Sequence, residues 1–399
     1  MKLHGAGCCL IDYLYANVDF GSPSFNAARS RTEGDGGLTP GRLVFAEDFE
    51  RFIGKPYETA LQELSGGVAA TKHNLGGPSV VALAHTAQLR TEDSVRFYGV
   101  RGDDETGRYV EEFLARLPFD HVHINVEKGP TPRTDVLSDP NYDNGHGERT
   151  FINLIGTAGH FGPANLEDEF YDADIVALGG TGIMPLLHDG MTEVLQKARS
   201  RGAATVVNLV YDFRSELNAP NEKWKLGLKD DAYPHIDVLV ADREEALKTS
   251  GQKDAETAIA WFLSQGVGAA VVTEGSRNIR LASQGGIFAP LSERSMPVCI
   301  AVNEELAAYP ERRGDTTGCG DNFAGGLLAS MLEQLATAPR GKLDLTEAAV
   351  WAVASGGFAC FTIGGTYYEE TVGEKRAKLL PYVGYYRDEL RALAKREAK

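Results

Sequence analysis

Short runs of β-branched and apolar residues alternate with longer helical patterns from about residue 80 onward. Apolar runs of four to six residues predict strands at 95–100, 175–178, 205–208, 238–241 and 269–273. Apolar residues at helical spacing predict helices at 106–117, 185–201, 243–250, 255–265, 320–335, 346–361 and 385–397. This alternation indicates βαβ units, so we predict an α/β fold with a mostly parallel sheet flanked by helices.

The first 75 residues follow a different pattern. After a predicted strand at 2–10, glycine and proline residues crowd the segment 21–41, which is too irregular for another βαβ unit. A second polar stretch, 138–149, contains a strong turn signal between two predicted strands, at 134–137 and 150–154. Together the two regions predict a small β unit beside the main sheet.

Charge and composition exclude several classes of function. The 399 residues include 40 Lys and Arg against 56 Asp and Glu, a formal net charge of −16 that would repel a nucleic acid. An apolar fraction of 43% is enough for a substantial core. No stretch approaches the ~20 uninterrupted apolar residues of a membrane-spanning helix. We therefore expect neither nucleic-acid nor membrane partners.

The five cysteines include no Cys-x-x-Cys pair, which disfavours both a disulfide framework and a zinc knuckle. The first residues also lack the apolar core of a secretory signal. We therefore expect a cytoplasmic protein.

Several common catalytic motifs are absent. Neither Gly-Lys dipeptide, at 54–55 or 341–342, is followed by the Ser or Thr of a Walker loop. The sequence contains no Gly-x-Ser-x-Gly elbow and no His-Glu-x-x-His. His121 and His123 would share one face of a strand, but without a third ligand nearby in sequence we expect ordinary strand residues.

The segment 314–326 carries the most specific pattern, Gly-Asp-Thr-Thr-Gly-Cys-Gly-Asp-Asn-Phe-Ala-Gly-Gly, and leads into an apolar helix. Gly318 and Gly320 allow a turn with exposed N–H groups, and the helix adds the positive end of its dipole. We call residues 314–320 the anion hole. The adjacent Asp321 could take a proton while charge is transferred, which indicates phosphoryl transfer to an alcohol with Asp321 as general base. A simple helix cap at Asp321 is the alternative.

Residues 315–323 closely resemble the C-terminal signature of the ribokinase, or PfkB, family of sugar and nucleoside kinases, written D-T-x-G-A-G-D-x-F. Cys319 replaces the usual alanine and contributes only its backbone amide. The resemblance implies one ribokinase-like, doubly wound α/β kinase domain over residues 1–399, with ATP and Mg²⁺ as cofactors. It further implies that the transferring phosphoryl oxygens are held by the amides of Gly318, Cys319 and Gly320.

The resemblance also assigns the acceptor side of the site. Asp12, in the Gly-x-x-x-x-Asp spacing from Gly7, resembles the family's aspartate that binds sugar hydroxyls. Gly76 and Gly77 resemble the di-glycine that lies against the sugar. Val81 stands where the family usually has an asparagine, so sugar and nucleoside acceptors both stay open.

The nucleotide side is implied by a third group of residues. Asp242 and Glu245 occupy the place of the family's Asn-x-x-Glu, which orders water around the magnesium ion on the phosphates. The aspartate is a departure that could bind the cation more directly. A capped helix with an acidic first turn explains the same two residues equally well. The remaining expected nucleotide contacts are Asn208, Thr273, Gly275 and Thr316.

Two segments, 37–42 with the sequence Gly-Leu-Thr-Pro-Gly-Arg and 155–161 with the sequence Ile-Gly-Thr-Ala-Gly-His-Phe, resemble the adenosine-kinase-like branch of the family, including bacterial sugar kinases of that type. In such proteins two β-rich segments, here about 13–75 and about 119–155, form a lid over the acceptor. Lid closure would exclude water that competes for the phosphoryl group, and lid pairing makes a homodimer plausible. The sequence thus predicts an ATP-dependent kinase acting on a hydroxymethyl group of a sugar. Nucleoside phosphorylation and a non-catalytic sugar- or nucleotide-binding role are the alternatives.

Overall fold

The computed structural model describes residues 1–32, 34–145 and 147–397. Within these ranges the strands are Lys2–Gly7 (β1), Leu10–Tyr15 (β2), Leu43–Phe45 (β3), Lys72–Gly76 (β4), Ser94–Gly102 (β5), Asp120–Glu127 (β6), Arg133–Asp139 (β7), Glu148–Leu154 (β8), Ile175–Gly179 (β9), Ala204–Asn208 (β10), Val238–Asp242 (β11), Ala269–Thr273 (β12), Ile279–Ser283 (β13) and Leu291–Met296 (β14). The α-helices are Pro23–Ala28 (α1), Ala46–Ile53 (α2), Tyr57–Leu64 (α3), Pro78–Leu89 (α4), Glu105–Leu114 (α5), Tyr142–Gly145 (α6), Pro185–Asp189 (α7), Met191–Ser200 (α8), Phe213–Asn218 (α9), Arg243–Ser250 (α10), Ala255–Ser264 (α11), Ile300–Ala308 (α12), Cys319–Leu335 (α13), Leu345–Ala359 (α14) and Glu374–Glu397 (α15).

The larger of two sheets has nine strands in the order β14-β13-β12-β11-β10-β9-β1-β5-β6. Neighbours from β12 to β6 pair in parallel, and β13 and β14 add an antiparallel edge. Successive strand residues pack into different cores: Val206 lies in the core formed with α4, α13 and α14, whereas Val207 lies in the core formed with α8, α10 and α11. Helices therefore cover both faces, which confirms the predicted doubly wound, mostly parallel α/β fold.

Most predicted elements of the large sheet agree with the structure within a few residues. The predicted strand at 269–273 is β12, and the predicted helix at 243–250 is α10. The predicted helix at 185–201 is instead two helices, α7 and α8, because the chain turns at Gly190. The hairpin β13–β14 and helix α12 were not predicted, since β14 is mostly polar and exposed.

The predicted first strand, 2–10, is also interrupted. β1 ends at Gly7, whose backbone lies so close to the carbonyl oxygen of Gly179 on β9 that a side chain would clash. The chain then leaves the large sheet and resumes as β2. Asp12 therefore lies on β2, between β7 and β4 of a second sheet, and is not part of the first strand.

The second, small sheet has the order β3-β8-β7-β2-β4. Helices α1, α2 and α3, in the region expected to be loop-rich, pack on one of its faces through Phe25, Phe49 and Leu61. Residues 120–127 fall inside the second expected lid segment but form β6, the parallel edge strand of the large sheet. The reason is that α5 connects β5 to β6 as one more βαβ crossover.

Helix α13 crosses the middle of the molecule between α4 and α14. A Cβ atom on Gly325 would lie 2.6 Å from the carbonyl oxygen of Ala82 on α4, and one on Gly326 would lie 2.7 Å from the carbonyl oxygen of Trp351 on α14. The two glycines thus allow the close packing expected of this segment. Across the described ranges, no helix combines the length and apolarity that a bilayer crossing requires.

Candidate active site

Three neighbouring parallel strands end in polar residues. β10, β11 and β12 finish at Asn208, Asp242 and Thr273, and Asp242 pairs with Thr273 in register. The carboxyl ends of parallel strands form the usual ligand crevice of an open α/β sheet. Gly275 follows with a φ of 56°, and a Cβ there would meet no atom within 4 Å. The structure therefore brings four of the expected nucleotide residues to one edge of the sheet.

The anion hole forms the N-terminus of α13. Gly318 is the residue before the helix, with φ 72° and ψ 9°, and a side chain there would clash with Gly365. The Cys319 amide donates to the Thr316 carbonyl over 3.3 Å, which closes the turn, and Thr316 itself is exposed. At Gly320, by contrast, a Cβ would meet no atom within 4 Å. An anion therefore has free space directly at the helix N-terminus, where the dipole favours it.

Asp321 projects from the first turn of α13, beside this space, and is half-buried. Burial raises the pKa of its carboxyl group to about 6, and a hydrogen bond with the Asn208 side chain opposes the rise. That contact places the end of β10 next to α13. A carboxyl group with this pKa is ionised at neutral pH yet basic enough to accept a proton.

The small sheet turns one face toward this crevice. Asp12 on β2 pairs in register with Asn74 on β4 and Thr134 on β7, and Thr134 pairs with Asn153 on β8. Residues in register share a face, so these four side chains form one polar row across the sheet. The amide nitrogen of Asn153 donates to Thr134 Oγ1 over 2.9 Å. We call this set the polar row.

Asp12 lies close to the expected acceptor glycine Gly76 and within electrostatic range of Asp315 and Asp321. Burial raises the pKa of its carboxyl group to about 7; Thr134 opposes the rise by hydrogen bonding, and the negative charges of Asp315 and Asp321 add to it. A Cβ on Gly76 would lie 2.5 Å from Asp12 Oδ2, so a side chain there would displace the Asp12 carboxylate. Gly77, with φ 111°, packs against the carbonyl of Cys8. The expected acceptor residues are thus assembled around one carboxylate.

Val81 stands where the family usually has an asparagine and has no side-chain hydrogen-bonding group. It is buried on α4, and a Cβ on Gly365 would lie 3.2 Å from its Cγ2 atom. Val81 therefore packs against the loop that follows α14.

Asp242 and Glu245 form a reciprocal capping box at the start of α10. The Glu245 amide donates to Asp242 Oδ1 over 2.7 Å, and the Asp242 amide donates to Glu245 Oε2 over 2.8 Å. Burial, together with the charges of Asp242 and Asp321, raises the pKa of the Glu245 carboxyl group to about 8. Asp242 and Glu245 therefore do cap α10, as the alternative explanation expected. The effect of the Asp321 charge on Glu245 shows that Glu245 also lies near the site.

A divalent cation would have few protein ligands here. In the described part of the chain, no three His, Cys, Asp or Glu side chains are grouped so that they could hold a metal ion. Glu245 nonetheless lies near Asp321, and a carboxylate whose pKa is raised by its neighbours gains from a nearby cation. The residues present fit a Mg²⁺ ion carried mainly by phosphate oxygens and water, as is usual for that ion.

Arg149 on β8 is a residue that the sequence analysis missed. Its Nη2 atom lies 3.3 Å from Asp315 Oδ2, and its Nη1 atom lies 3.4 Å from Thr317 Oγ1. It shares the inward face of β8 with Asn153, four residues along the strand. The period of two in β8 could have placed it on that face, but nothing local indicates which sheet β8 joins.

A buried network behind the anion hole was also missed. The Lys375 ammonium donates to Gln88 Oε1 over 3.0 Å and to Asn322 Oδ1 over 3.1 Å. The Asn322 amide group in turn donates to the carbonyl oxygens of Gly318 over 2.8 Å and Gly365 over 2.9 Å. Asn322 thereby fixes the turn that precedes Asp321. Burial lowers the pKa of Lys375 to about 7.

The model of the pfkB family of carbohydrate kinases matches residues 44–371. The chain belongs to this family. It is therefore a carbohydrate kinase with a ribokinase-like fold, as the signature at 315–323 predicts. A curated relative, 2-dehydro-3-deoxygluconokinase from Thermoproteus tenax, is 27% identical over 314 residues, which cover 78% of this chain and 82% of the relative.

Solved structures of an adenosine kinase and a ribokinase-type protein share the fold. Adenosine kinase from Schistosoma mansoni, in complex with 2-fluoroadenosine, superposes with a TM-score of 0.67 at 16% identity, covering 92% of this chain and 97% of that protein. An E. coli protein assigned as ribokinase II, in complex with ATP and Mg²⁺, gives a TM-score of 0.63 at 17% identity, covering 96% of this chain and 99% of that one.

Proposed function

We propose that this pfkB family kinase transfers the γ-phosphoryl group of ATP to a hydroxymethyl group of a sugar, with Asp321 as the general base. One observation carries the proposal: a half-buried carboxyl group, with its pKa raised to about 6, stands beside open space at a helix N-terminus. Proton acceptance by Asp321 makes the acceptor oxygen a nucleophile, and the adjacent amides offset the negative charge that moves with the phosphoryl group.

The nucleotide is assigned to the crevice at the ends of β10, β11 and β12. Asn208, Thr273 and Gly275 line this edge, and the anion hole receives the phosphate end. In support, the E. coli neighbour with the same fold is in complex with ATP and Mg²⁺. When bound, Mg²⁺ supplies positive charge on the phosphate oxygens. Glu245, and Asp242 beside it, would face its water shell.

The acceptor is assigned to the polar row. Asp12, Asn74, Thr134 and Asn153 offer alternating acceptors and donors along one line, which suits a chain of hydroxyl groups. Gly76 leaves room for the Asp12 carboxylate. The negative charge of Asp321 contributes to the raised pKa of Asp12, so a sugar held by this row would lie close to Asp321.

The small sheet with α1, α2 and α3 is assigned as the lid. Arg149 reaches from its inner face to the anion hole, so one cation of the lid lies beside the phosphoryl position. Closure of the lid over the polar row would exclude water, which otherwise competes with the sugar for the phosphoryl group. Arg149 would then add its charge to the developing negative charge on the phosphoryl oxygens.

A nucleoside acceptor is the second candidate, and one observation favours it. Phe45 on β3 pairs with Asn153 at the end of the polar row and packs edge-on against Phe213, with 5.7 Å between ring centroids. An aromatic pair at this position would suit a stacked base, since aromatic faces bind the faces of nucleobases.

A coupled ADP-release assay over pentoses, hexoses, sugar acids and nucleosides tests the proposal, with mass spectrometry of the phosphorylated product. We expect acceptor-dependent ADP release with one sugar class at least tenfold above nucleosides. Preference for a nucleoside would establish the second candidate. Ligand-induced thermal stabilisation without ADP release from any acceptor would instead indicate a binding protein and contradict the kinase assignment.

A further inference from the structure

Two thiols meet at the edge of the anion hole. Cys319, the first residue of α13, and Cys360, which follows the last residue of α14, have their Sγ atoms 3.6 Å apart. Both are partly accessible to solvent, whereas the other three cysteines, Cys8, Cys9 and Cys299, are buried. The sequence signature differs from its family pattern at Cys319, so this chain places a thiol where alanine is usual.

The backbone holds the two cysteine segments together. The Gly314 amide donates to the Cys360 carbonyl over 2.8 Å, and the Asp315 amide donates to the Thr362 carbonyl over 2.9 Å. The Asp315 carboxylate also accepts from the Gly364 amide over 3.2 Å. Because these bonds join the segment before α13 to the segment after α14, the fold itself keeps the two sulfur atoms close together.

The two thiols are not equivalent. A hydrogen bond from the Cys319 thiol, with help from the positive charge of Arg313, lowers the pKa of Cys360 to about 7, while burial and the negative charge of Asp315 act against this. The same hydrogen bond raises the pKa of Cys319, which keeps its proton. Cys360 is thus the more readily ionised thiol and the nucleophile of the pair, and Cys319 is the neighbouring thiol.

We propose that Cys360 and Cys319 form a reversible oxidative modification site, at which hydrogen peroxide converts the pair into a disulfide across the anion hole. The Cys360 thiolate attacks one peroxide oxygen, so that an S–O bond forms, the O–O bond breaks and hydroxide leaves. The Cys319 sulfur then attacks the sulfenic sulfur, the S–S bond forms, and water leaves with the second oxygen. In total, two thiols lose two electrons and two protons, and one peroxide becomes two waters.

The disulfide would disturb the site because Cys319 belongs to it. Its sulfur must close from 3.6 Å to roughly 2 Å from Cys360 Sγ, which pulls the first turn of α13 toward the end of α14. Gly318 and Gly320, on either side, carry amides assigned to the phosphoryl oxygens. A displacement of about 1 Å in such a site lowers turnover by on the order of 100-fold.

Disulfide formation and kinase activity are measured separately. Only the expected loss of activity rests on the proposed function; formation of the disulfide does not. The full chain is reduced, desalted and titrated with hydrogen peroxide; the disulfide is measured by peptide mass spectrometry without reductant, and activity by ADP release. We expect a cross-linked peptide pair containing Cys319 and Cys360, a loss of at least about tenfold in activity, and recovery of both with dithiothreitol. If the chain lacked kinase activity, the peptide pair would still be expected.

Three variants serve as controls, each compared with its own reduced state. Cys360→Ser and Cys319→Ala should form no disulfide and keep their reduced activity at peroxide concentrations that inhibit the wild type. Cys299→Ser, at a buried cysteine away from the pair, should remain as sensitive as the wild type. Equal sensitivity of Cys360→Ser, persistence of both free thiols in peroxide-treated wild type, or a complete disulfide with undiminished activity would each overturn the proposal.

Discussion

Arg149 of the small sheet meets Asp315 of the anion hole, with 3.3 Å between Arg149 Nη2 and Asp315 Oδ2. The two residues are 166 positions apart in the chain. Arg149 lies on β8 of the small sheet, whereas Asp315 lies in the loop that precedes α13. Their contact joins the proposed lid to the phosphoryl position, and it makes Arg149 the lid residue whose function can be tested most directly.

Replacing Arg149 with Ala should weaken transition-state stabilisation while leaving the fold intact. A charge-assisted hydrogen bond contributes about 1.5–3 kcal/mol, so we expect kcat/KM for ATP to fall by roughly 10- to 100-fold. Arg149→Lys should recover part of the loss because it keeps the charge but loses the two-pronged geometry. Arg51→Ala, an exposed arginine on α2, is the matched control. Activity of Arg149→Ala equal to that of Arg51→Ala would exclude this role.

The two glycines of the anion hole should respond differently to alanine. At Gly318, the left-handed backbone and the contact with Gly365 oppose a side chain, so Gly318→Ala should destabilise the protein by at least ~1–2 kcal/mol and lower Tm by a few degrees. At Gly320 a methyl group meets no protein atom within 4 Å, so Gly320→Ala should keep the wild-type Tm. It should nonetheless lose activity, because the methyl group fills the space assigned to the phosphoryl group. Full activity of Gly320→Ala would show that the phosphoryl group does not bind at Gly320.

The pH profile should report the carboxyl groups of the site. The pKa of Asp321 in the ligand-free protein is raised to about 6 and a general base acts only when ionised, so kcat/KM for the acceptor should have an acidic limb near pH 6. Asp12, whose pKa is raised to about 7, should add a second limb near pH 7. Asp12→Asn should therefore retain only the limb near pH 6, below which kcat/KM falls about tenfold per pH unit. A kcat/KM of Asp12→Asn that stays constant down to pH 4.5 would contradict the assignment of Asp321.

Lys375 should impose a pH dependence on stability. Burial lowers its pKa from 10.5 to about 7, so between these values the unfolded chain binds a proton that the folded chain does not. Stability should therefore rise with pH in this window, by up to about 1.4 kcal/mol per unit. The measurement is the free energy of unfolding of wild type minus that of Lys375→Met, from urea titrations at pH 7, 8 and 9. A difference that does not change with pH would show that Lys375 remains charged in the folded protein.

The sequence predicted those elements whose formation depends on residues close together in the chain. Strands β5, β9, β10, β11 and β12 follow from apolar runs, because a sheet buried on both faces requires them. Helix α13 and its glycine-rich start likewise follow from apolar spacing and turn residues. The residues at the ends of β10, β11 and β12 were expected to act together from the resemblance to the family, and the shared carboxyl edge of these parallel strands does bring them together.

Other features depend on contacts between distant residues. Arg149 and Lys375 acquire their roles only when β8 joins β7 and α15 packs on α4, and no local pattern specifies those contacts. The interruption between β1 and β2 has the same origin, since the last residue of β1, Gly7, packs against the backbone of Gly179 on β9, which is 172 positions away in the chain. The polar row could not be predicted, because it depends on the register of the small sheet. That register places Asn74, Thr134 and Asn153 in one row with Asp12.

The central claim is that Asp321 is the base of a phosphoryl transfer. The direct measurement is kcat of Asp321→Asn by ADP release with the best acceptor of the panel, together with the Kd for ATP by calorimetry. We predict a Kd within a few-fold of the wild type and a kcat lower by roughly 10²- to 10⁴-fold, as is typical for the loss of a general base. A kcat close to that of the wild type, with ATP binding unchanged, would contradict the account.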